Sequence, residues 1–187
     1  HLLQIGPVSK AIDAHERLLA VNPNLPDSWY NLGYLQQQAG LFEAALRSYR
    51  LALEHGVSRP EEVHVNCAVI LAEHMRSTAQ AVSEFEVALQ LNPRYVPALV
   101  NLGNIHEQRG DREQALGAYE HVLSIEPDNA LALSRLPNLK LVIKTDDPLI
   151  NRLERAIKRS GTTAAERADL GFGLGKALDS AAEYDRA

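Results

Sequence analysis

The chain repeats itself at a fixed interval. Ala81, Phe85 and Pro93 recur 34 residues later as Ala115, Tyr119 and Pro127, and Ala11 and Ala45 stand the same distance apart. Leu32-Gly33 recurs as Leu102-Gly103 after 70 residues, one step of 34 and one of 36. A period of this length, with small and aromatic residues at fixed places, describes a helix–turn–helix unit. One unit cannot bury its own apolar face, so it is stable only when stacked on others. The fold class is therefore all-α, a solenoid of helix pairs. Such a chain is first of all a binding surface.

At about 34 residues per unit, the 187 residues hold about five units. Hydrophobic residues make up 45% and aromatic residues only 5%, which suits closely stacked helices in a folded protein. A net charge of −5 leaves no basic footprint, so nucleic acid and anionic membrane are not expected partners. No apolar run approaches the ~18 residues of a membrane span, and no signal peptide is visible. The single cysteine, Cys67, excludes an internal disulfide framework and fits a reducing, cytoplasmic compartment. The start at His1 rather than Met reads as a piece of a longer chain.

A partial unit occupies 8–25. Ser9 to Val21 carries Ala11, Ile12, His15, Leu18 and Leu19 at helical spacing and stops at Asn22-Pro23, as the second helix of a pair would. The first complete unit, 26–61, begins with Asp27 as N-cap and runs through Trp29, Leu32, Gly33 and Leu35 to Gly40. Gly33 has no side chain, which lets the second helix approach. That helix carries Phe42, Ala45, Leu46, Tyr49, Ala52 and Leu53, and closes at His55-Gly56 with a left-handed glycine cap. The second unit, 62–95, carries Val65, Ala68, Val69 and Ala72, then Ala81, Val82, Phe85, Ala88 and Leu89; Ala68-Val69 replace the Leu-Gly pair. The third, 96–129, is the most regular, with Leu102-Gly103, Gly110, Ala115, Tyr119 and Pro127. The fourth, 130–162, diverges: Pro137 stands where the glycine should be and predicts a kink or break. Asp147-Pro148 opens the next helix as N-cap and N1, with Leu149, Leu153, Ala156 and Ile157 on its face and Gly161 at its end. A truncated unit, 163–187, opens with the capping box Thr163-Ala-Ala-Glu166 and has Leu174-Gly175 as its Leu-Gly pair; Tyr184 and Ala187 begin its second helix. Both ends fall inside units and expose apolar faces. Two molecules could pair there as a homodimer, although truncation alone would also produce such pairing.

Period and motif positions identify the chain as resembling the tetratricopeptide repeats, which implies a right-handed α-α superhelix. A narrower resemblance rests on Gly56-Val-Ser-Arg-Pro-Glu-Glu-Val-His-Val-Asn66 and Asn92-Pro-Arg-Tyr-Val-Pro-Ala-Leu-Val-Asn-Leu-Gly-Asn104. It extends to Asp147-Pro-Leu-Ile150, Ala165-Glu-Arg-Ala-Asp-Leu-Gly-Phe-Gly-Leu-Gly-Lys-Ala-Leu-Asp179 and Tyr184-Asp-Arg-Ala187. These segments resemble the repeat region of bacterial tetratricopeptide sulfotransferases. In that family a C-terminal domain uses 3′-phosphoadenosine-5′-phosphosulfate, and the resemblance implies that such a domain follows in the parent protein. The chain would then be its substrate-recruiting arm, catalytically inert alone.

Arg159-Ser-Gly-Thr-Thr163 resembles the phosphosulfate-cradling loop of sulfotransferases. That loop follows an apolar strand and aims backbone N–H groups at phosphate from a helix N-terminus. Here an amphipathic helix precedes it and Lys158 stands where the loop has proline, so a glycine C-cap followed by a threonine N-cap accounts for it better. Gly171-Phe-Gly-Leu-Gly175 lacks the spacing and the strand of a nucleotide loop, and reads as close helix packing. The histidines (His1, His15, His55, His64, His74, His106 and His121) form no metal-binding pair. Cys67 reads as a small buried apolar residue, and Glu61-Glu62 as first-turn acids at a helix N-terminus. No cofactor, metal site or catalytic set is expected within the chain.

In tetratricopeptide repeats the first helices line the concave wall. The resemblance implies ligand-facing residues at the second, fifth, ninth, twelfth and thirteenth positions. In the first unit these are Asp27, Tyr30, Tyr34, Gln37 and Gln38; in the second, Val63, Asn66, Ile70, Glu73 and His74; in the third, Pro97, Val100, Asn104, Glu107 and Gln108. The set has no Lys or Arg, unlike a groove that grips a peptide C-terminal carboxylate. Asn31, Asn66, Asn101 and Asn104 resemble the asparagine ladder of tetratricopeptide glycosyltransferases, and an amide offers donor and acceptor together to a peptide backbone. Asn31 and Asn101 could instead satisfy neighbouring helix groups. The expected groove is Tyr30, Asn31, Tyr34, Gln37, Asn66, Ile70, His74, Asn101, Asn104, Glu107 and Gln108, and the expected partner is a protein or extended peptide.

Overall fold

The structure, a computed structural model, describes residues 2–140 and 143–181. Among them are ten α-helices and no strand. The expected helix carrying Tyr184 and Ala187, and His1, lie outside the described residues. The helices fall into two compact units, His1–Tyr95 and Val96–Ala187.

The first unit holds α1 (Leu2–Val21), α2 (Pro26–Gln38), α3 (Phe42–Glu54), α4 (Pro60–Glu73) and α5 (Thr78–Leu91), and each packs on the next. The tightest pairs are α2 with α3 and α4 with α5. α1 starts at Leu2 rather than Ser9, with Pro7 inside the helix. Asp27 is not the N-cap of α2: Leu25 takes that place without a side-chain bond, and Pro26 starts the helix with its φ already set. Asp27 lies in the first turn instead and accepts a hydrogen bond from the Ser58 hydroxyl at 3.3 Å.

The pair α2–α3 closes through one contact. A Cβ added to Gly33 would lie 2.7 Å from a ring carbon of Tyr49, so the ring occupies the notch that glycine leaves. Tyr49 is fully buried. Glycine inside a helix costs roughly 1 kcal/mol relative to alanine. A buried aromatic side chain is worth about 3–5 kcal/mol against truncation, so the exchange favours the ring.

The turn after α2 uses Gly40 (φ +77°) and the turn after α3 uses Gly56 (φ +77°), both in the left-handed region. The turn after α4 has Arg76 at the place of Gly40, and it too is left-handed, with φ +53°. A side chain with a Cβ is strained there by ~1–2 kcal/mol.

The second unit holds α6 (Val96–Arg109), α7 (Arg112–Ile125), α8 (Ala130–Leu139), α9 (Pro148–Lys158) and α10 (Ala164–Ser180). The α6–α7 pair repeats the first contact: a Cβ on Gly103 would lie 2.7 Å from the ring of buried Tyr119. Asn129 caps α8 by accepting the Ala132 N–H at 3.1 Å. Pro137 is accommodated inside α8, and the helix ends two residues later with Lys140 extended (ψ +132°). The Arg112 guanidinium donates to the freed carbonyl of Leu139. Asp147 caps α9 as expected, its carboxylate accepting the Leu149 N–H at 2.9 Å. The predicted capping box of α10 is complete.

α8 packs chiefly on α10 and only lightly on α9. The glycine that permits this is Gly173, not the expected Gly175: a Cβ there would lie 2.9 Å from the Ser134 carbonyl oxygen, whereas Gly175 and Gly171 face open space. The Leu174-Gly175 match fails because α10 meets the backbone of α8 rather than an aromatic ring.

Three substitutions test this packing. Gly173→Ala is expected to destabilise the chain by about 1–3 kcal/mol, since backbone cannot yield as a ring can, while Gly175→Ala should stabilise it by roughly 0.5–1 kcal/mol through helix propensity; paired denaturant melts check both. Arg76→Gly should raise stability by about 0.5–1 kcal/mol by removing left-handed strain, read as a higher denaturation midpoint at unchanged slope.

Candidate functional site

In the first unit the expected groove residues meet around Glu62, in the first turn of α4. Pro60 starts that helix and Arg59 pairs with Glu62 at 3.0 Å. The Tyr30 hydroxyl, from α2, donates to the other Glu62 oxygen at 2.7 Å. Asn66, one turn further along α4, donates to the Tyr30 hydroxyl at 3.5 Å. The Tyr30 ring lies 5.9 Å from that of Tyr49, tilted by 45°. The Tyr49 hydroxyl donates to Gln37 Oε1 at 2.8 Å, so the buried phenol ends on a groove residue. Tyr34 is 48% exposed, and Asn31 is exposed beside it on the same helix.

Burial, with Glu62 alongside, pushes the Tyr30 phenol up to about 12. Burial also raises Tyr49 and, with Glu62 nearby, Tyr95. Glu62 thus holds the cluster together, although the sequence presents it only as a first-turn acid. Its spacing of one helical turn from Asn66 is the signal that could have marked it.

Ile70 is a correction. It is fully buried, as is Val63, because α4 is apolar on several sides (Val65, Cys67, Ala68 and Leu71 are buried too), and neither residue offers surface to a ligand. His74 stands apart from the Tyr30 cluster at the C-cap of α4, stacked on Phe42 with ring centroids 3.7 Å apart.

In the second unit the Tyr119 hydroxyl lies 2.8 Å from Asn104 Oδ1 and 3.0 Å from Glu107 Oε2, and its one proton is shared between them. Burial and the Glu107 carboxylate raise this phenol. Arg135 of α8 approaches Glu107 at 3.8 Å. Asn101 donates to the Pro97 carbonyl of its own helix at 2.8 Å, the local use that its position allowed. Gln108 is exposed.

Burial pushes the Cys67 thiol up to about 12, which leaves it inert as a nucleophile. Among the described residues no three His, Cys, Asp or Glu side chains are placed to hold a metal ion. In the Arg159–Thr163 segment, Gly161 takes φ +94° and Thr163 caps α10, donating to Glu166 Oε2 at 2.8 Å from its N–H and accepting the Glu166 N–H at 3.2 Å. The helix α9 precedes it, so the segment is a pair of caps. Gly171 to Gly175 lie inside α10. No helix among the described residues is long and apolar enough to cross a membrane.

The tetratricopeptide repeat family matches residues 26–54 and 74–136. The chain carries tetratricopeptide repeats. PYG7, a chloroplastic tetratricopeptide repeat domain-containing protein of Arabidopsis thaliana, is 38% identical over 65 residues, which cover 35% of this chain and 22% of that protein. The tetratricopeptide chain therefore spans about a fifth of that curated relative's length. The crystal structure of MamA is similar with a TM-score of 0.66 at 20% identity, covering 97% of this chain and 93% of that one. That of YrrB, described as a TPR protein with an unusual peptide-binding site, has a TM-score of 0.61 at 16% identity, covering 98% and 83%. These likenesses show the fold, an all-α tetratricopeptide solenoid. Tetratricopeptide repeats generally mediate contacts between proteins and typically serve as non-catalytic scaffolds.

The raised phenols carry an alkaline signature. Such a group favours the fold fully below the unfolded value of about 10, and that contribution is lost as pH rises through the folded value, about 12 for Tyr30. Stability should therefore fall between pH ~10 and ~12, and Tyr30→Phe should lose less over that window; denaturant melts at the two pH values, with phenolate absorbance, check it.

Proposed function

We propose that the chain is a protein-interaction scaffold whose groove-facing first helices hold an extended peptide or a partner domain. The observation that carries this reading is the Tyr30–Glu62–Asn66 group, which joins α2 to α4 through hydrogen bonds of 2.7 and 3.5 Å. It fixes an amide at a half-buried position, and α2 also carries exposed Tyr34 and Asn31. A peptide group needs one donor and one acceptor at fixed spacing, and asparagine supplies both. Asn104 is held in the opposite sense, its Oδ1 accepting from the Tyr119 hydroxyl, which leaves its amide N–H groups to donate. The peptide-binding site ascribed to YrrB lends the reading support by analogy of fold.

The division into a partial unit, three complete units, a divergent and a truncated one belongs to this proposal, as does a non-catalytic role. The alternative, a recruiting arm of a sulfotransferase, draws no support from the relatives named above.

The test is a peptide selected against the chain from a random display library. Asn66→Ala and Asn104→Ala should each weaken its binding about five- to tenfold, the worth of one directed hydrogen bond, as read by fluorescence anisotropy. Unchanged affinity in both variants refutes the groove.

A further inference from the structure

The second unit carries a cationic cleft that the groove does not use. Arg152, Arg155, Lys158 and Arg159, all from α9 and its C-cap, line an open cleft of about 590 Å³ whose other wall is Pro127 and Asp128. Four cations face one carboxylate there, in a chain whose net charge is −5. Arg155 and Lys158 lie in the last turn of α9 and complement its dipole. That role does not account for Arg152, one turn earlier, or for Arg159 beyond the helix end. Nor does it account for their convergence on one cleft.

The guanidinium groups are held in place. Arg152 Nη2 donates to the Pro127 carbonyl at 2.6 Å, and Arg155 Nε to the Asn151 carbonyl at 3.2 Å. A guanidinium has five N–H donors, so each of these bonds leaves most of the fork available for a carboxylate. Arg159 Nη1 pairs with Asp128 at 3.2 Å, with both side chains more than half exposed, at 60% and 67%. An ion pair so exposed is weak and readily exchanged for another carboxylate.

We propose that this cleft binds an acidic segment of a partner protein, with Asp128 marking the place of one of its carboxylates. A peptide is favoured over a long polyanion because the whole chain is acidic and would repel extended nucleic acid. It is favoured over a membrane because the apolar face of α9 (Leu149, Ile150, Leu153 and Ala156) is buried, leaving nothing to insert. The inference stands apart from the groove reading: it concerns other residues and a different ligand chemistry.

The test measures anisotropy of a fluorescein-labelled hexaglutamate peptide with the full chain. Saturable binding is expected, weakened about tenfold or more by Arg155→Glu with Lys158→Glu and less by Arg155→Gln with Lys158→Gln, and falling with added salt as exposed charge pairs do. Lys10→Glu with Arg17→Glu, an equal charge change on exposed residues of the other unit, should leave it unchanged. Circular dichroism verifies that each variant is folded. Absence of saturable binding, or equal weakening by the two charge reversals, overturns the proposal. So does tighter binding, through the same residues, to a DNA duplex or to phosphatidylserine vesicles.

Discussion

An aromatic ring lying in the notch of a facing glycine is the contact on which each regular helix pair depends. Tyr49 fills the notch of Gly33 and Tyr119 that of Gly103, each at a distance no Cβ would tolerate. The consequence is directional. The second helix is drawn so close that its phenol passes through the pair and emerges on the first helix, where Gln37 receives the Tyr49 proton and Asn104 and Glu107 share that of Tyr119. The pair α4–α5 shows the complementary solution. Val69 and Phe85 stand at the corresponding places, so the glycine and the hydroxyl are given up together, and no phenol there needs a partner.

The divergent end replaces a ring-in-notch contact with a backbone one. Pro137 leaves α8 only ten residues long, and Lys140 after it is extended. Ile143 in this connection is buried and its N–H donates to Ser180 of α10 at 3.2 Å. With α9 lightly attached to α8, it is α10 that covers α8, and Gly173 admits the Ser134 backbone. The cationic edge of α9 remains on the outside of this arrangement.

Much of the fold was legible because its signals are local. The left-handed Gly40, Gly56 and Gly161, the Asp147 cap and the Thr163 capping box each need only a few neighbouring residues. Arg76 was not legible, since arginine gives no sign of left-handed backbone; only its register with Gly40 and Gly110 reveals it. Gly175 was mistaken for the packing glycine because a Leu-Gly pair says nothing about which neighbour the helix meets. In the candidate site, the resemblance implied the amides and tyrosines of the first helices, but Ile70 could not be separated from the core and Glu62 could not be separated from a routine first-turn acid. Both depend on what lies beside α4, which periodicity does not encode.

The proton that Tyr49 or Tyr119 carries from the core to a residue of the proposed groove limits how such a surface can be re-engineered. Under the proposed groove, replacing Gln37 to alter recognition would strand the Tyr49 phenol, so a change of specificity there arrives with a folding defect attached, whereas Tyr119 would keep Asn104 as acceptor if Glu107 were replaced. Tyr34 and Asn31 receive no proton from the core. They are the places where sequence drift, or a designer, can vary the ligand without disturbing the scaffold.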